Sequence, residues 1–476
     1  MPLTWRFAAL LLAFALPAGA VTITVTTAED QDLADGFCSL REAILAANTD
    51  AARNECPAGA GEDRIAFALT LPAVLQIGQD LPPVTASLAI RGPSAADLTL
   101  DGTDLFRLFV FDTAAGGGIL VLEDLTLTRG RAPGGTLNDG GALAVMPGER
   151  AFVDRVVFQS NSSLNGGGAL LVTGSAAVVT RIEIRSCTFA GNRALGVLGG
   201  GAMRVQAAEA LLADSTLTAN AAEDPLGSGG ALYAERATLE IERSTVAGNT
   251  ADWQGGGMAV RSYTGTSTLR LVDSTITGNR ADADTNGDGG GGGLNAYATV
   301  GLTVELRLVN NIIAENEDTP TPLAPDLFVD PGSSTLLTTG WNLIGNNFGS
   351  TALFPAGNPD AQGDYVGTAA APLDPRLEAL GDDGGPTLTR RPLLEAGSPV
   401  IDHGHCPDAA TDQRGWGDAG HAGRIYDHPI VEPNGATSDG CDIGAVERGA
   451  SPDAATALFA SDFELATLLL WSAAQP

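Results

Sequence analysis

The amino-acid sequence predicts an all-β protein, a right-handed parallel β-helix with an N-terminal capping helix and a loop-rich C-terminal cap. The main observation is a repeat of about 30 residues that recurs seven times between residues 120 and 316. Each repeat carries apolar residues two positions apart, which places both side chains on one face of a strand. A Gly-Gly landmark follows most repeats. One repeat alone cannot bury such a stripe, so the copies must stack.

The seven repeats align without gaps on their last residue. They share apolar first, third and eighth columns, and six of the seven end in asparagine. The segments are LVLEDLTLTRG (120–130), AFVDRVVFQSN (151–161), IEIRSCTFAGN (182–192), ALLADSTLTAN (210–220), LEIERSTVAGN (239–249), LRLVDSTITGN (269–279) and LRLVNNIIAEN (306–316). A β-propeller is the competing fold, but its blades need about 40 residues and four strands. These units are too short for that.

The final asparagines predict a structural ladder, because stacked amides can hydrogen-bond from one coil to the next at a tight corner. The ladder residues are Asn161, Asn192, Asn220, Asn249, Asn279 and Asn316. Cys187 lies in another column, which is otherwise occupied by small or apolar residues and Asn311. This position predicts a small buried side chain rather than a reactive thiol.

The segments outside the repeats have their own signatures. Residues 39–48, SLREAILAAN, predict an amphipathic capping helix that begins with the capping box Ser39 and Glu42. Prolines after residue 317 mark the end of the repeats. The predicted organisation is a signal peptide (1–20), an N-terminal cap with irregular first coils (21–118), the repeats (119–317), a C-terminal region (318–449) and a tail (450–476).

The first twenty residues predict export. A ten-residue apolar run, residues 7–16, follows Arg6 and is too short to cross a bilayer, and Ala18-Gly19-Ala20 suits a signal peptidase. No later segment predicts a transmembrane helix. The sequence therefore predicts a secreted or cell-surface protein, held there by an anchoring partner if it is attached.

Cysteine usage agrees with an oxidising compartment. Cys38 with Cys56, and Cys406 with Cys441, form two sequence-local pairs that would close short loops as disulfides. The sequence has no Cys-x-x-Cys, the usual spacing of structural zinc and thioredoxin-type redox sites.

Composition excludes several function classes. The chain has 26 basic and 57 acidic residues, for a formal net charge of −31, and every basic residue is arginine. Such an acidic protein is repelled by phosphate backbones, so we expect no nucleic-acid partner. The lack of lysine excludes Schiff-base chemistry and a P-loop lysine. With 44% hydrophobic and 17% charged residues, the chain is predicted to be folded.

Several motifs resemble bacterial surface-protein families. Residues 38–44, CSLREAI, resemble the CSLREA domain, and the GGA and FxxN elements resemble repeats of the polymorphic outer-membrane protein family, whose passengers are adhesive. The C-terminal region is similar to the choice-of-anchor Q domain through NNIIAEN (310–316), GWNLIGN (340–346), DDGGPTLTRRPL (382–393), GSPVIDHG (397–404), TDQRG (411–415) and CDIGAVE (441–447). The resemblance implies an exported, surface-associated β-helix without an assigned biochemical role.

Two clusters are candidates for metal binding. Asp282, Asp284, Asn286 and Asp288 match positions 1, 3, 5 and 7 of a calcium loop, although glycine replaces the glutamate at position 12. The alternatives are a weak calcium site and a flexible acidic loop, and no cofactor is required. The four histidines, His403, His405, His421 and His428, lie close together in sequence without a regular ligand spacing.

The sequence favours a binding protein over an enzyme. β-Helices include polysaccharide lyases and hydrolases, so outward Arg155, Arg185, Arg243 and Arg270, with Asp154, Asp214 and Asp273, are candidates for catalysis by analogy of fold. Their columns vary freely between acids, arginine and alanine, which is typical of a solvated face. We therefore expect adhesion to an extracellular glycan or surface without turnover. The alternatives are a polysaccharide lyase or hydrolase and a purely structural surface component.

Overall fold

The computed structural model describes residues 20–132, 137–175, 177–319, 325–330, 332, 334–395, 397–406, 411–417 and 438–450. The predicted signal peptide and tail lie outside this part of the chain, apart from Ala20 and Ala450. Within it the protein is nearly all β, and its strands form the stacked parallel coils of a β-solenoid. The predicted fold class is confirmed.

The N-terminal part contains one helix and the first strands. These are β1 (Thr22–Val25), α1 (Leu40–Thr49), β2 (Asp63–Phe67), β3 (Ala73–Gln76), β4 (Leu88–Arg91), β5 (Leu98–Asp101), β6 (Phe109–Phe111), β7 (Ile119–Thr128) and β8 (Leu143–Val145). The next coils contain β9 (Arg150–Gln159), β10 (Ser162–Ser163), β11 (Leu170–Thr173), β12 (Arg181–Arg185), β13 (Thr188–Ala190), β14 (Arg193–Ala194), β15 (Met203–Gln206), β16 (Glu209–Ala213), β17 (Thr216–Thr218), β18 (Ala221–Ala222) and β19 (Leu232–Glu235).

The later coils repeat this order and then become shorter. They contain β20 (Thr238–Glu242), β21 (Thr245–Ala247), β22 (Thr250–Ala251), β23 (Met258–Ser262), β24 (Ser267–Val272), β25 (Thr275–Thr277), β26 (Arg280–Ala281), β27 (Leu294–Ala298), β28 (Val304–Val309), β29 (Ile312–Ala314), β30 (Glu317–Asp318), β31 (Leu327–Val329), β32 (Ser334–Gly340), β33 (Leu343–Ile344) and β34 (Tyr365–Val366).

In the described part of the chain, three parallel sheets run along the solenoid, with twenty, eight and six strands. The twenty-stranded sheet, sheet 1, receives two strands from each regular coil, such as β20 and β21, which we call the first and second arms. The eight-stranded sheet, sheet 2, includes β19, β23 and β27, and the six-stranded sheet, sheet 3, is made of two-residue strands. Register is maintained between coils, as in the pairing of Leu239 with Leu269. The apolar columns therefore stack into one continuous core.

The backbone conformation at the corners of each coil explains why the repeat has an asparagine at its end. The bend between the two arms has positive φ, for example 43° at Arg243, and the asparagine follows a second such residue. The backbone N–H of each ladder asparagine from Asn161 to Asn279 donates to Oδ1 of the ladder asparagine one coil later, at 2.9–3.0 Å. Its Nδ2 donates to a carbonyl of the preceding coil, such as Leu217 for Asn249. The amide thus satisfies buried backbone groups at a corner that lacks strand pairing.

A second ladder passes through Cys187. The backbone N–H of Val156 lies 3.4 Å from its Sγ, and Cys187 N–H donates to Ser215 Oγ at 3.1 Å. The column continues through Ser244 and Ser274 to Asn311. Cys187 is a free, buried thiol, and burial raises its pKa. It is the small buried side chain that the sequence predicts.

Helix α1 packs on the first strands. Ser39 caps it, and Glu42 completes the predicted capping box by accepting from the Ser39 N–H at 2.8 Å. The Cys38–Cys56 disulfide fastens the helix to the loop that follows it. The second predicted disulfide, Cys406–Cys441, is also present, so both predictions are confirmed.

The chain after β34 returns along the outside of sheet 1. We call the described residues between 377 and 448 the C-terminal strap. Gln413 Nε2 donates to Ser215 O at 3.1 Å and to Thr216 Oγ1 at 2.9 Å, and Ala445 N–H donates to Thr275 Oγ1 at 3.1 Å. The buried ion pair of Arg414 and Asp412 (2.6 Å) holds the strap together. The TDQRG and CDIGAVE motifs therefore supply residues that dock the strap on the second arms.

Candidate functional sites on the outer faces

Most charged side chains on the first arms form ion pairs with one another. These pairs join Arg155 to Asp124 (2.6 Å) and Asp154, Arg243 to Asp214 (2.7 Å) and Glu242, Arg270 to Glu240 (2.5 Å) and Glu242, and Arg185 to Glu183. Asp273 accepts from Asn310 Nδ2 at 2.7 Å. Except for Asp273, the arginines and aspartates that the sequence offers as catalytic candidates therefore take part in ion pairs with neighbouring side chains.

One pocket interrupts this pattern near the N-terminal end of sheet 1. It is lined by Val121, Glu123, Phe152, Val153, Asp154, Glu183 and Arg185, and we call it the acidic pocket. Glu123, Asp154 and Arg185 occupy one column of the sheet, on β7, β9 and β12. Adjacent strands lie about 4.8 Å apart, so the two carboxylates face the pocket from neighbouring coils.

The two carboxylates of the acidic pocket are poorly solvated. Only 1% of the Glu123 side chain is exposed; its Oε2 pairs with Arg91, whereas its buried Oε1 has no hydrogen-bond partner among the described residues. Burial raises the pKa of Asp154 to about 6, even though Arg155 opposes the shift, and the charge of Glu123 adds to it. Val121 and Phe152 supply an apolar wall.

A second feature lies on the outer face of sheet 2. Three of the five tyrosines of the chain, Tyr233, Tyr263 and Tyr297, lie close enough to Arg261 to interact with its charge. The rings of Tyr263 and Tyr297 are 6.2 Å apart between centroids and inclined by 60°. Tyr297 is exposed, Tyr263 is half-buried and Tyr233 is buried. We call Tyr263 and Tyr297 the tyrosine platform.

Arg261 is fully buried next to the tyrosines. Its guanidinium donates to Asn295 Oδ1 at 2.6 Å, to Gln254 Oε1 at 3.0 Å and to Ser228 Oγ at 3.4 Å. No carboxylate of the described residues forms an ion pair with it. Burial lowers the pKa of this guanidinium. Arg261 is thus a buried cation that neutral side chains hold close to the platform.

The acidic loop is closed by its own hydrogen bonds. Asp282 accepts from Asn286 N–H at 2.9 Å and from Gly287 N–H at 3.0 Å, and Asn286 accepts from Asp288 N–H at 3.0 Å. Asp282 is buried, whereas Asp284, Asn286 and Asp288 are exposed. Within the described residues no group of three or more His, Cys, Asp or Glu side chains is arranged to hold a metal ion. The calcium hypothesis remains a prediction.

The described histidines lie beside aromatic rings. The ring of His403 meets Tyr365 edge-on at 5.1 Å, and that of His405 lies 4.4 Å from Trp341. Cys406, next to His405, is in the disulfide. His421 and His428 lie outside the described residues.

Sequence reasoning missed both the acidic pocket and the tyrosine platform. The pocket depends on Glu123 and Asp154 sharing a column. The aligned repeats show this column, but nothing in the sequence distinguishes it from other columns with acidic residues. The platform depends on Arg261 aligning with Tyr297 in sheet 2. Anchoring the alignment on the Gly-Gly landmark, rather than on the asparagine, would have revealed these outward tyrosines.

Comparison with known proteins identifies no relative: no family model, no curated protein and no solved structure matches the chain. Among the described residues, helix α1 is ten residues long, and no helix has the length and apolar character needed to cross a membrane.

Proposed function

We propose that this protein is an exported, surface-associated β-helix that binds an extracellular glycan through the tyrosine platform without turning it over. The two disulfides suit an oxidising compartment, and the motif resemblances favour a bacterial surface protein. The proposal rests chiefly on one observation, a pair of neighbouring tyrosines, one exposed and one half-buried, next to a buried arginine on a regular sheet face.

The chemistry of the platform suits sugar rings. Aromatic faces attract the C–H groups of a pyranose, and a tyrosine loses little conformational entropy when it binds. Each face of the solenoid is rigid because the coils share ladders and a continuous core. A rigid platform binds an extended polymer at a lower entropic cost than a mobile loop.

Absence of turnover is supported by the pairing of charges. The outward arginines of the first arms pair with Asp124, Asp154, Asp214 and neighbouring glutamates, and the two carboxylates of the acidic pocket lie on a different sheet from the platform. General acid–base catalysis needs two groups positioned on one substrate bond. The polysaccharide lyase or hydrolase remains the alternative that the experiment must separate.

The test is a glycan screen that measures retention and cleavage together. Tyr297→Ala should weaken retention at least fivefold, which corresponds to about 1 kcal/mol for one stacked ring. Tyr297→Phe, which keeps the ring, and Phe37→Ala, which removes an exposed ring beside α1, should bind like the wild type. Release of shorter products by the wild type would exclude the non-catalytic function. Equal retention of glycan by the Tyr297→Ala and Phe37→Ala variants would exclude the tyrosine platform as the binding site.

A further inference from the structure

We propose that the acidic pocket is a binding site for a protonated primary amine on a hydrocarbon stem, the chemistry of a lysine side chain from a partner. The site is separate from the tyrosine platform, since it lies on sheet 1 between β7 and β9, whereas the platform lies on sheet 2. It therefore adds a second binding specificity to the proposed function and does not depend on it.

The acidic pocket contains an unsatisfied hydrogen-bond acceptor. Glu123 Oε1 is buried and lacks a hydrogen-bond donor among the described residues, although Glu123 lines the pocket. Leaving a buried acceptor without a donor costs about 1–3 kcal/mol, and more when the group is charged. A ligand that supplies an N–H at this position recovers that free energy on binding.

The charged side chains in and around the acidic pocket do not balance one another. Four carboxylates meet here, those of Glu123, Asp154, Glu183 and the adjoining Asp124. Three guanidinium groups pair with them, those of Arg91, Arg155 and Arg185. These seven side chains together leave one net negative charge, and the other charged residues of β9 and β12, Arg150 and Arg181, lie at the N-terminal ends of those strands, four residues before Asp154 and Arg185. One monovalent cation balances the net negative charge.

Geometry selects an ammonium group among the cations. Glu123 and Asp154 are register partners on strands about 4.8 Å apart. An ammonium nitrogen placed between them can donate at about 2.8 Å to each. A guanidinium prefers both oxygens of one carboxylate, but Glu123 Oε2 is already paired with Arg91. Calcium needs six to eight oxygen ligands, which two carboxylates do not supply.

The pocket walls and the composition of the chain identify the source of the amine. Val121 and Phe152 offer apolar contact to an alkyl stem next to the two acids. The chain itself contains no lysine, so neither its own segments nor a second copy can place a lysine side chain here. The net charge of −31 attracts basic partners over long range.

The experiment is calorimetric titration of the mature protein with n-butylammonium at pH 7.5. Saturable binding is expected, and Glu123→Gln and Asp154→Asn should each weaken it at least tenfold. The matched control is Glu209→Gln, which removes an outward acid of the same sheet that is paired with Arg181. It should leave the affinity within twofold of the wild type. Circular dichroism of each variant verifies the fold.

The pH dependence of the affinity for n-butylammonium provides an independent test. Asp154, with its pKa of about 6, takes up a proton as the pH falls, so affinity should drop about tenfold between pH 7.5 and pH 5. Asp154→Asn should remove most of this dependence. Failure of n-butylammonium to saturate, or equal losses in Glu123→Gln and Glu209→Gln, would overturn the proposal.

Two further ligands distinguish a lysine side chain from an amino sugar as the source of the amine. Nα-acetyl-lysine methylamide should bind more tightly than glucosamine, because only its stem packs on Val121 and Phe152. Tighter binding of glucosamine would refute the lysine assignment, as would binding of calcium in place of the amine. The variants Tyr297→Ala and Tyr297→Phe should leave amine binding unchanged, so the two proposals fail separately.

Discussion

Replacing one ladder asparagine tests the reasoning about the fold, and Asn249 is the best position. Its Oδ1 accepts from Asn220 N–H and Asn220 Nδ2, both at 2.9 Å, and its Nδ2 donates to Leu217 O at 3.0 Å and to Asn279 Oδ1 at 2.9 Å. The residue is fully buried. Asn249→Ala removes all four bonds at a corner that water does not reach.

The expected loss of stability follows from the hydrogen-bonding groups that Asn249→Ala leaves without a partner. Asn220 Nδ2 still donates to Phe189 O, and Asn279 Oδ1 still accepts from the backbone of residue 249. The Asn220 N–H loses its partner, and the Leu217 carbonyl loses one bond but keeps the pairing between β17 and β21. At about 1–3 kcal/mol for the buried orphan and about 1 kcal/mol for the second bond, the free energy of unfolding should fall by about 2–4 kcal/mol.

Urea unfolding followed by circular dichroism measures this loss. The matched control is Asn286→Ala in the exposed acidic loop, where we expect a change of at most about 0.5 kcal/mol. A loss below about 1 kcal/mol for Asn249→Ala, or one equal to that of Asn286→Ala, would refute the view that the ladder stabilises the corners.

Two further predictions concern buried titratable groups. Cys187→Ser should change the free energy of unfolding by less than about 1 kcal/mol, because serine fills the same column in the next three coils. In the wild type, a thiol reagent should label Cys187 only after unfolding, and labelling of the native protein would contradict its burial. Burial raises the pKa of Asp326 to about 7, although Asn316 and Asn346 donate to its carboxylate. The folded state therefore keeps a proton that the unfolded chain releases above pH 4, so stability is present at low pH and is lost as the pH rises towards 7. Urea unfolding at pH 5 and pH 8 should show higher stability at pH 5, with a smaller difference in Asp326→Asn; the same difference in both proteins would contradict the assignment.

The coils could be predicted from the sequence because their determinants are local and periodic. Phe158 and Phe189 align in the sequence, and their rings stack 4.5 Å apart in the core. The ladder asparagines and the capping box of α1 are determined by neighbours within one repeat or one turn. Each of these features needs only the repeat length and the strand period.

The binding features depend on information that the repeat does not contain. The acidic pocket arises from unequal solvation of similar acidic positions, and burial cannot be read from residue type. The tyrosine platform depends on how sheet 2 is offset from sheet 1, and loop lengths that vary between coils set that offset. The strap joins Gln413 to Thr216, 197 residues apart, and no local pattern predicts such a contact.

The C-terminal strap changes how the molecule should unfold. Stacked coils interact only with their neighbours, about 30 residues away, so a plain solenoid can fray from either end one coil at a time. The strap contacts Thr216, Thr245 and Thr275 on three successive coils. Those coils cannot separate until the strap is released, so they should exchange amide hydrogens as one cooperative unit. Because the strap follows the coils in the chain, it can close this unit only after they have been synthesised.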